Sequence, residues 1–475
     1  MNNDFHARRW WALGVLSLAQ FLIILDTSII GIALPEIQDA LGFDGSSLQW
    51  VFSAYVIAFG GLLLLGGRLS DLLGARRVFV TGFVVLTGAS LVAGLAGSDD
   101  VLIAARAGQG VGAALIAPAA MSIVLRLFTT PAELGKAMGI WGASAPAGGT
   151  AGVFLGGVIT EWIGWRWTFL VNVPVGLVVL AAVPALLPAV PGRRGRIDVA
   201  GALSVTAAVS TAVYAIVTAN DYGWGSTHTI GLLSISAVLL VAFALIQLRR
   251  AEPLVPLRIF RAPNLSAANV VMALLGAAWI PMWFYLNLYL QEVLGFGAFA
   301  SGAALLPMTV AIMLLMVGVT ARVVGRFGFK PPIVAGLFLL ALGIGLFARV
   351  PAEGSFLGDV LWVSLIAAVG MSLAYIPVLV ASLSSAAPEE AGLASGLVNT
   401  SYQVGSAIGL AAMTAVATSV GDGDTTGGLI DGYEAAFLGA AGIAAAAALV
   451  ALTLIRRPRT AAARAGEAPQ AELAA

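Results

Sequence analysis

The sequence predicts an all-α membrane protein that crosses the bilayer fourteen times. Its 475 residues are 60% hydrophobic and only 10% charged, with a mean hydropathy of +0.98, whereas about a quarter of the residues of a soluble domain are charged. Apolar runs of about 20 residues, the length that crosses a hydrocarbon core of about 30 Å, recur along the chain. Basic residues collect in alternate connections between these runs, as expected of cytoplasmic loops.

The predicted spans form two groups of six with a pair between them. They fall at 10–34, 48–70, 78–97, 101–125, 135–159 and 167–188, then at 197–219 and 228–248, and last at 267–291, 302–324, 331–349, 357–383, 393–418 and 433–456. This order predicts four parts: an N-terminal lobe (1–190), an inserted hairpin (191–255), a C-terminal lobe (256–459) and a tail (460–475). The small, polar tail is expected to be disordered.

A short motif recurs at the same place in both groups of six. Span 2 ends in GRLSDLLG (67–74) and span 10 ends in GVTARVVG (318–325), and both read G-x-x-x-charged-x-x-G. Parallel repeats of this kind are typical of two-lobed transporters with a binding site between the lobes.

Charge and composition restrict the function classes. Most of the 24 Lys and Arg residues lie on one predicted side, which places both termini in the cytoplasm. There is no cysteine, so disulfides are excluded. With only two histidines, the sequence offers too few side chains to favour a His-based metal centre or catalytic triad. A GxxxxGK[ST] phosphate loop is absent, and zero net charge does not favour nucleic acid. We expect no metal or cofactor, and transport driven by a gradient.

One acid lies inside the first apolar run. Asp26 is nine residues before Pro35, roughly 13 Å below the predicted outer end of span 1, and Arg106 lies roughly 9 Å inside span 4 with a side chain long enough to reach it. A carboxylate in hydrocarbon costs roughly 3 kcal/mol on insertion scales, so Asp26 is a functional candidate. Burial favours a neutral carboxyl and a nearby guanidinium favours a charged one, so a change of access could move a proton. A structural ion pair is the alternative.

The ordered set of motifs resembles the major facilitator superfamily, specifically its fourteen-span drug:proton antiporters. The stretches that carry the resemblance are LDTSIIGIALP (25–35), GRLSDLLGARR (67–77), LIAARAGQGVGAA (102–114), WRWTFLVNVPVG (165–176), LYLQEVLGFGAFASGAALLP (288–307) and PEEAGLASGLVNTSYQVGSAIG (388–409). The resemblance implies the major facilitator fold and proton-coupled export of hydrophobic or amphipathic small molecules by alternating access. It also implies a bacterial cytoplasmic membrane, and no enzyme activity.

The resemblance assigns roles to two sets of residues. In the family, the span 1 acid and the span 4 arginine are associated with proton coupling, and Asp26 and Arg106 match those positions. The loop motif after span 2 is associated with a conformational latch, and its residues here are Gly67, Asp71, Gly74, Arg76 and Arg77. Positive-inside topology alone would explain the two arginines but not the aspartate.

Span 5 is a candidate packing or gating helix. Gly148, Gly152 and Gly156 recur at four-residue spacing, followed by Gly157, and such spacing lets helix backbones approach closely. Static packing explains the pattern equally well. Gly152 and Val153 stand where the antiporter signature has a Gly-Pro pair, which keeps a proton-coupled importer or facilitator open as an alternative.

The substrate path is expected between the lobes, lined by helices 1, 2, 4 and 5 of each group. Side chains there that offer aromatic faces or hydrogen bonds are Gln109, Trp279, Trp283, Tyr285, Asn287, Tyr375, Asn399, Tyr402 and Gln403. Such groups suit bulky lipophilic or cationic molecules. Gln109 could instead bond Asp26, Arg106 or a neighbouring helix.

The expected partners are a lipophilic small molecule, protons and the lipid bilayer, with the protein acting as a monomer. No acid lies near the centre of a span in the second group, so monovalent cations or neutral compounds are expected rather than dications. A receptor or scaffold that does not transport is a second rival to export.

Overall fold

A computed structural model describes residues 3–43, 48, 50–189, 192, 198–250, 253–262, 264–351, 353–383, 391–421 and 425–456. The first group of helices comprises α1 (Asn3–Ser28), α2 (Ile30–Leu41), α3 (Trp50–Leu73), α4 (Ala75–Gly94), α5 (Asp99–Leu127), α6 (Pro131–Trp162), α7 (Arg166–Leu170) and α8 (Asn172–Leu186). The inserted pair comprises α9 (Val199–Tyr222) and α10 (Thr227–Arg249). The last group comprises α11 (Leu265–Leu288), α12 (Ala298–Leu315), α13 (Ala321–Phe327), α14 (Lys330–Phe347), α15 (Leu361–Leu383), α16 (Ala391–Val420) and α17 (Thr426–Leu454).

Three π-helical segments extend these helices: Tyr289–Val293 continues α11, Met316–Thr320 joins α12 to α13, and Phe356–Val360 leads into α15. A 3₁₀ turn, Leu257–Arg261, precedes α11. Regular structure in the described ranges is therefore helical, as the sequence predicts.

Twelve helices in the described ranges are long and apolar enough to cross a membrane. The chain is therefore a multi-pass membrane protein. The 32-residue α6 and the 24-residue α9 are not among the twelve, although a shorter apolar stretch, Ala200–Ile216, lies within α9. The predicted tail (460–475) lies outside the described residues.

Helical structure continues beyond the predicted end of span 1 at residue 34. The chain passes from α1 through Ile29 into α2, which continues through Pro35 to Leu41, where Gly42, with a φ of 71°, ends the helix. Pro35 removes one backbone donor, but α2 continues past it for six residues. Asp26 lies three residues before Ile29, where α1 and α2 meet.

Packing divides the helices into two groups. In the first, α3 and α4 pack on α5, and α1 packs on α6; in the last, α11 packs on α16 and α17, and α14 on α15 and α17. The principal contacts between the groups join α6 to α12 and α3 to α16. The inserted α9 packs on α10, α3 and α16, so it lies along the second of these seams.

Both copies of the repeated motif are helical, but the turn that follows lies at a different position in each. Gly74 directly follows α3 and has a φ of 96°, a conformation that favours glycine. Its counterpart Gly325 lies inside α13, and the turn there is made by Gly328, with a φ of 74°. In the second group the helix therefore continues past the last glycine of the motif, and the turn follows at Gly328.

The glycines of span 5 face α1. A Cβ atom added to Gly148, Gly152 or Gly156 would lie within 3.0 Å of a backbone carbonyl oxygen, that of Phe21 or Leu25 in α1 or that of Ile29 directly after α1. Gly157 is buried in the same helix. These glycines thus allow close packing inside the first group of helices, while a different face of α6 meets α12.

We expect Gly148→Ala to destabilise the protein and Gly149→Ala not to. The new methyl at 148 would meet the α1 backbone, which costs about 1–3 kcal/mol for an overpacked site, whereas at 149 the nearest atom is Ser28 Oγ at 3.8 Å. Thermal unfolding of the two variants in detergent micelles measures the difference. Equal midpoints would contradict the packing described for α1 and α6.

Candidate functional site

Asp26 and Arg106 form a fully buried ion pair. Arg106 Nη1 lies 2.6 Å from Asp26 Oδ2, and neither side chain is exposed. Asp26 lies two residues before the end of α1, and Arg106 is in the second turn of α5. The structure thus brings together the two candidates that the sequence places at similar depths.

Two amides complete the surroundings of the Asp26 carboxylate. Gln109 Nε2 donates to Asp26 Oδ1 at 2.9 Å, and Asn172 Nδ2 donates to the same oxygen. In the described ranges every hydrogen-bond partner of this carboxylate is therefore a donor, which suits an ionised group. Such donors offset the desolvation of the buried charge.

Gln109 belongs to this cluster. Its Nε2 also donates to Ser90 Oγ at 2.8 Å, and its Oε1 accepts from Arg106 Nη1 at 2.9 Å. The sequence leaves two roles open for Gln109, a substrate contact or a partner of the ion pair. In the structure it bonds to the ion pair and is fully buried between α1, α4 and α5.

Arg106 is held on several sides. Its Nε donates to the Val51 carbonyl oxygen at 2.7 Å, and its guanidinium carbon lies 4.6 Å from the Tyr55 ring centroid and 6.0 Å from that of Phe169. Both rings offer cation–π contacts to a desolvated charge. Nη2 has no hydrogen-bond partner in the described part of the chain.

A helix break presents Asn172 to Asp26. Helix α7 ends at Leu170, Val171 intervenes, and Asn172 is the first residue of α8. Pro174 follows two residues later; it has no backbone N–H and is tolerated in the first turn of a helix. The local sequence therefore accounts for the break, and the break places the Asn172 side chain at the start of α8.

Sequence reasoning missed four members of this cluster: Tyr55, Ser90, Phe169 and Asn172. A signal existed for Asn172, the single amide in the apolar stretch TFLVNVPVG (168–176). Tyr55, Ser90 and Phe169 carry no comparable signal, because one hydroxyl or ring per helix turn is ordinary in a membrane span.

Asp71 contacts the second group of helices. Its Oδ2 accepts from the backbone N–H of Leu393, the third residue of α16, at 3.1 Å. A carboxylate is stabilising at a helix N-terminus, where N–H groups lack intrahelical partners. A Cβ atom added to Gly396 would lie 3.0 Å from the Leu63 carbonyl oxygen and 3.7 Å from Gly67 Cα, so the two helices approach closely here.

The arginines of the same motif are placed differently. Arg77 is exposed and Arg76 is half-buried, and neither forms an ion pair within the described ranges. Gly74 makes the turn after α3. The structure thus places Asp71 and Gly67 at the contact between the groups, and the arginines beside it.

Helices α6 and α12 form one of the two principal contacts between the groups. Thr150 and Thr309 share a hydrogen bond between their hydroxyls, and the rings of Phe154 and Phe299 lie 4.9 Å apart. A cavity of about 300 Å³ opens beside this contact, lined mainly by apolar side chains of both helices. Because α6 also packs on α1, one helix separates the ion pair from this seam.

The predicted substrate-path residues fall in different surroundings. Tyr375 and Tyr402 are edge to face with centroids 5.9 Å apart, joining α15 to α16, and Trp279 and Trp283 lie 6.1 Å apart on α11. Tyr285, in contrast, is buried inside the second group, its ring against Tyr433 and Phe437 and its hydroxyl 3.5 Å from the Met413 carbonyl oxygen. The Tyr285 ring is therefore part of the packed core of the second group.

Two of the polar side chains predicted to line the substrate path form hydrogen bonds within the protein. Asn287 Oδ1 accepts from Ser301 Oγ at 2.7 Å, and Asn399 Nδ2 donates to the Ser395 carbonyl oxygen at 2.9 Å. Gln403 is half-buried. No group of three or more His, Asp or Glu side chains in the described ranges could hold a metal ion.

Comparison with known proteins identifies the family. The model of the Major Facilitator Superfamily matches residues 16–410, with a second match over 319–475. The chain belongs to the major facilitator superfamily. This major facilitator has the fold of the solved proton:xylose symporter, with a TM-score of 0.68 at 13% identity over 95% of this chain and 96% of that one.

Bacterial relatives of this major facilitator carry names that refer to antibiotic export or antibiotic resistance. The cephamycin export protein of Amycolatopsis lactamdurans is 38% identical over 434 residues, or 90% of this chain and 89% of that protein. The puromycin resistance protein of Streptomyces alboniger is 36% identical over 462 residues, or 94% and 92%.

Asp26 and Arg106 should be strongly coupled in stability. Removing one partner leaves an uncompensated buried charge, so we expect Asp26→Asn and Arg106→Gln each to cost about 3–5 kcal/mol. The double variant should be more stable than the sum of the two losses implies, by about 1–3 kcal/mol.

Thermal unfolding of the four proteins in detergent micelles, analysed as a double-mutant cycle, measures this coupling. The exposed Asp100 at the start of α5 provides the control, since Asp100→Asn should leave the midpoint unchanged. Additive losses in the cycle would show that the ion pair does not hold α1 to α5.

Proposed function

We propose that this major facilitator exports hydrophobic or amphipathic small molecules, antibiotics among them, from a bacterial cell in exchange for protons. The names of its relatives support export of drugs. The observation that carries proton exchange is the fully buried Asp26, whose hydrogen-bond partners in the described ranges are all donors. An acid in a membrane span is costly, and a proton relay is one role that retains it.

The proposed cycle uses the Asp26–Arg106 pair as its switch. The ionised carboxylate holds Arg106 at 2.6 Å, and uptake of a proton removes the charge on which that contact depends. Arg106 keeps its bond to the Val51 carbonyl oxygen, so it is released toward α3 while α1 becomes free to move. Energy comes from the proton gradient, and no cofactor or metal takes part.

Two contacts between the lobes would open and close in this cycle. The Asp71 carboxylate at the N-terminus of α16 latches one end of the α3–α16 seam, and the α6–α12 seam runs beside it. Rocking of the lobes breaks the latch on one side of the membrane and exposes the site to that side. Arg76 and Arg77 would hold the loop on the cytoplasmic face.

The substrate site is proposed between the lobes at the Tyr375–Tyr402 pair, with Gln403, Asn399 and Trp283 nearby. Aromatic faces of this kind bind lipophilic cations and neutral hydrophobic molecules. The second group of spans carries no acid near its centre, so a monovalent or neutral substrate fits better than a dication.

The topology that we propose has fourteen crossings with both termini in the cytoplasm. Helices α6 and α9 contain 32 and 24 residues, which at 1.5 Å per residue gives about 48 and 36 Å, more than the 30 Å of a hydrocarbon core. With these two, the helical segments make six crossings, an inserted pair and six more, and the protein acts as a monomer.

Export is tested by the accumulation of a fluorescent lipophilic cation in a bacterial host without its own pumps. We expect cells with the wild-type protein to accumulate less dye than cells with Asp26→Asn at equal expression, and a protonophore to abolish the difference. Asp100→Asn, an exposed acid, is the matched control and should export normally. Dye levels equal to those of an empty vector in the wild type would count against export, and higher levels would favour an importer.

Rocking of the lobes is tested with a disulfide between α6 and α13. The Cβ of a residue at 135 would lie 3.3 Å from Ala321 Cβ, close to the roughly 3.5–4.5 Å of a disulfide. The chain has no cysteine, so Gly135→Cys with Ala321→Cys is the single pair available for oxidation.

Oxidation of this pair should abolish export, and reduction should restore it. The control pair is Gly135→Cys with Gly325→Cys, because an added Cβ at 325 has no atom within 4 Å. Full export by the oxidised, crosslinked protein would rule out movement at this seam.

A further inference from the structure

The partners of Asp26 in the described ranges suit only one charge state. Arg106 Nη1 faces Oδ2, while Gln109 Nε2 and Asn172 Nδ2 face Oδ1, so each is a donor that points at an acceptor. A protonated carboxyl group carries an O–H that must itself donate. Wherever the proton lands, its hydrogen would face another donor, so one partner has to become an acceptor.

Among these three partners, two have no acceptor to give. An arginine side chain has none. The Oε1 atom of Gln109 already accepts from Arg106, which can only donate, so turning this amide would place its NH₂ group against the guanidinium, donor against donor.

Asn172 is different because half of its amide is unused. Its Nδ2 donates to Asp26, but its Oδ1 is buried and has no hydrogen-bond partner in the described part of the chain. A buried acceptor without a hydrogen bond is destabilising, so its presence here needs an explanation.

We propose that the side-chain amide of Asn172 turns over when Asp26 takes up a proton, so that Oδ1 accepts the carboxyl O–H where Nδ2 had donated. One hydrogen bond between the two residues is then kept in both charge states. The oxygen and the NH₂ group of an amide are nearly equal in size, so the turn needs no repacking. Asn172 is a positioning residue in this scheme: it binds no proton itself but makes the neutral form of Asp26 acceptable inside the lobe.

The inference rests on the proposed function, since it explains how Asp26 can change charge. The titratable and charged groups that face Asp26 are Arg106 on α5 and Tyr55 on α3. Other charged side chains of the helices packed around it lie near helix ends, such as Arg9, Asp71, Arg76, Asp99, Glu133 and Glu161. A titration seen inside the lobe therefore reports on this cluster.

The test is infrared difference spectroscopy of the purified full-length protein over a range of pH. The carboxyl C=O band of protonated Asp26 is identified as the band that Asp26→Asn removes. In Asn172→Leu, a side chain of similar size with no hydrogen-bonding group, the O–H loses its acceptor and the band should move to higher frequency.

The pH midpoint of this band should also move upward in Asn172→Leu, by about one unit. The charged form loses a charge-assisted hydrogen bond and the neutral form loses a weaker bond between neutral groups, so the substitution disfavours the charged form more. Asn172→Ser, which keeps a group that both donates and accepts, should show a smaller change in both readouts and serves if the leucine variant does not fold.

The matched control is Asn269→Leu. Asn269 is also a buried asparagine, but it lies on α11, where its amide bonds the Leu265 carbonyl oxygen and Ser401 Oγ. Its replacement should leave the Asp26 band and its midpoint in place.

The outcomes separate the inference from the proposed function. A band that Asp26→Asn removes, and that neither Asn172 variant shifts in frequency or midpoint, would overturn the role of Asn172 while leaving proton exchange intact. No Asp26-dependent band at any pH would mean that Asp26 stays ionised, which would defeat both.

Discussion

A single buried charge sets the arrangement of the first lobe. The Asp26 carboxylate lies out of contact with solvent, and the energy lost on desolvation must be recovered from Arg106, Gln109 and Asn172. Arg106 and Gln109 come from α5 and Asn172 from α8, and the two α5 side chains bond in turn to Val51 on α3 and Ser90 on α4. Five segments of the lobe, α1, α3, α4, α5 and α8, therefore have to converge within hydrogen-bond distance, which leaves little freedom in how they pack.

Close backbone approach connects this charge to the contact between the lobes. The glycines of α6 lie against α1 on the stretch that carries Asp26, so the backbones of α1 and α6 approach closely there. The opposite side of α6 meets α12 through Thr150 and Phe154. In the proposed cycle, a displacement of α1 that follows a change of charge at Asp26 would reach the second lobe through a single helix, α6.

The same electrostatic principle operates at the lobe contact in a weaker form. Asp71 is buried, and its carboxylate accepts from the backbone N–H group of Leu393 at the start of α16. A contact between a charge and a helix terminus contributes about 0.3–2 kcal/mol, less than the roughly 3–5 kcal/mol that removing one partner of a buried ion pair costs. In the proposed cycle this contact opens and closes as the lobes rock, whereas the Asp26–Arg106 pair changes when Asp26 takes up a proton.

The sequence by itself determined the membrane class, the helical content and the family, because these follow from the length of apolar runs, from charge asymmetry and from motifs contiguous in the chain. It also singled out Asp26, Arg106 and Asp71, since an acid or base within or beside an apolar run is conspicuous without any knowledge of packing. Only the tertiary structure decided the partners. Asn172 matters through its distance to Asp26, 146 positions away, and Ser90 through its distance to Gln109, 19 positions away on the next helix. Tyr285 is turned toward the core of its lobe because neighbouring helices, which no local pattern encodes, lie on that side. The composition of a segment determines whether it is more stable in water or in hydrocarbon. A hydrogen bond depends on the positions of both atoms, and those positions are set only once the helices have packed.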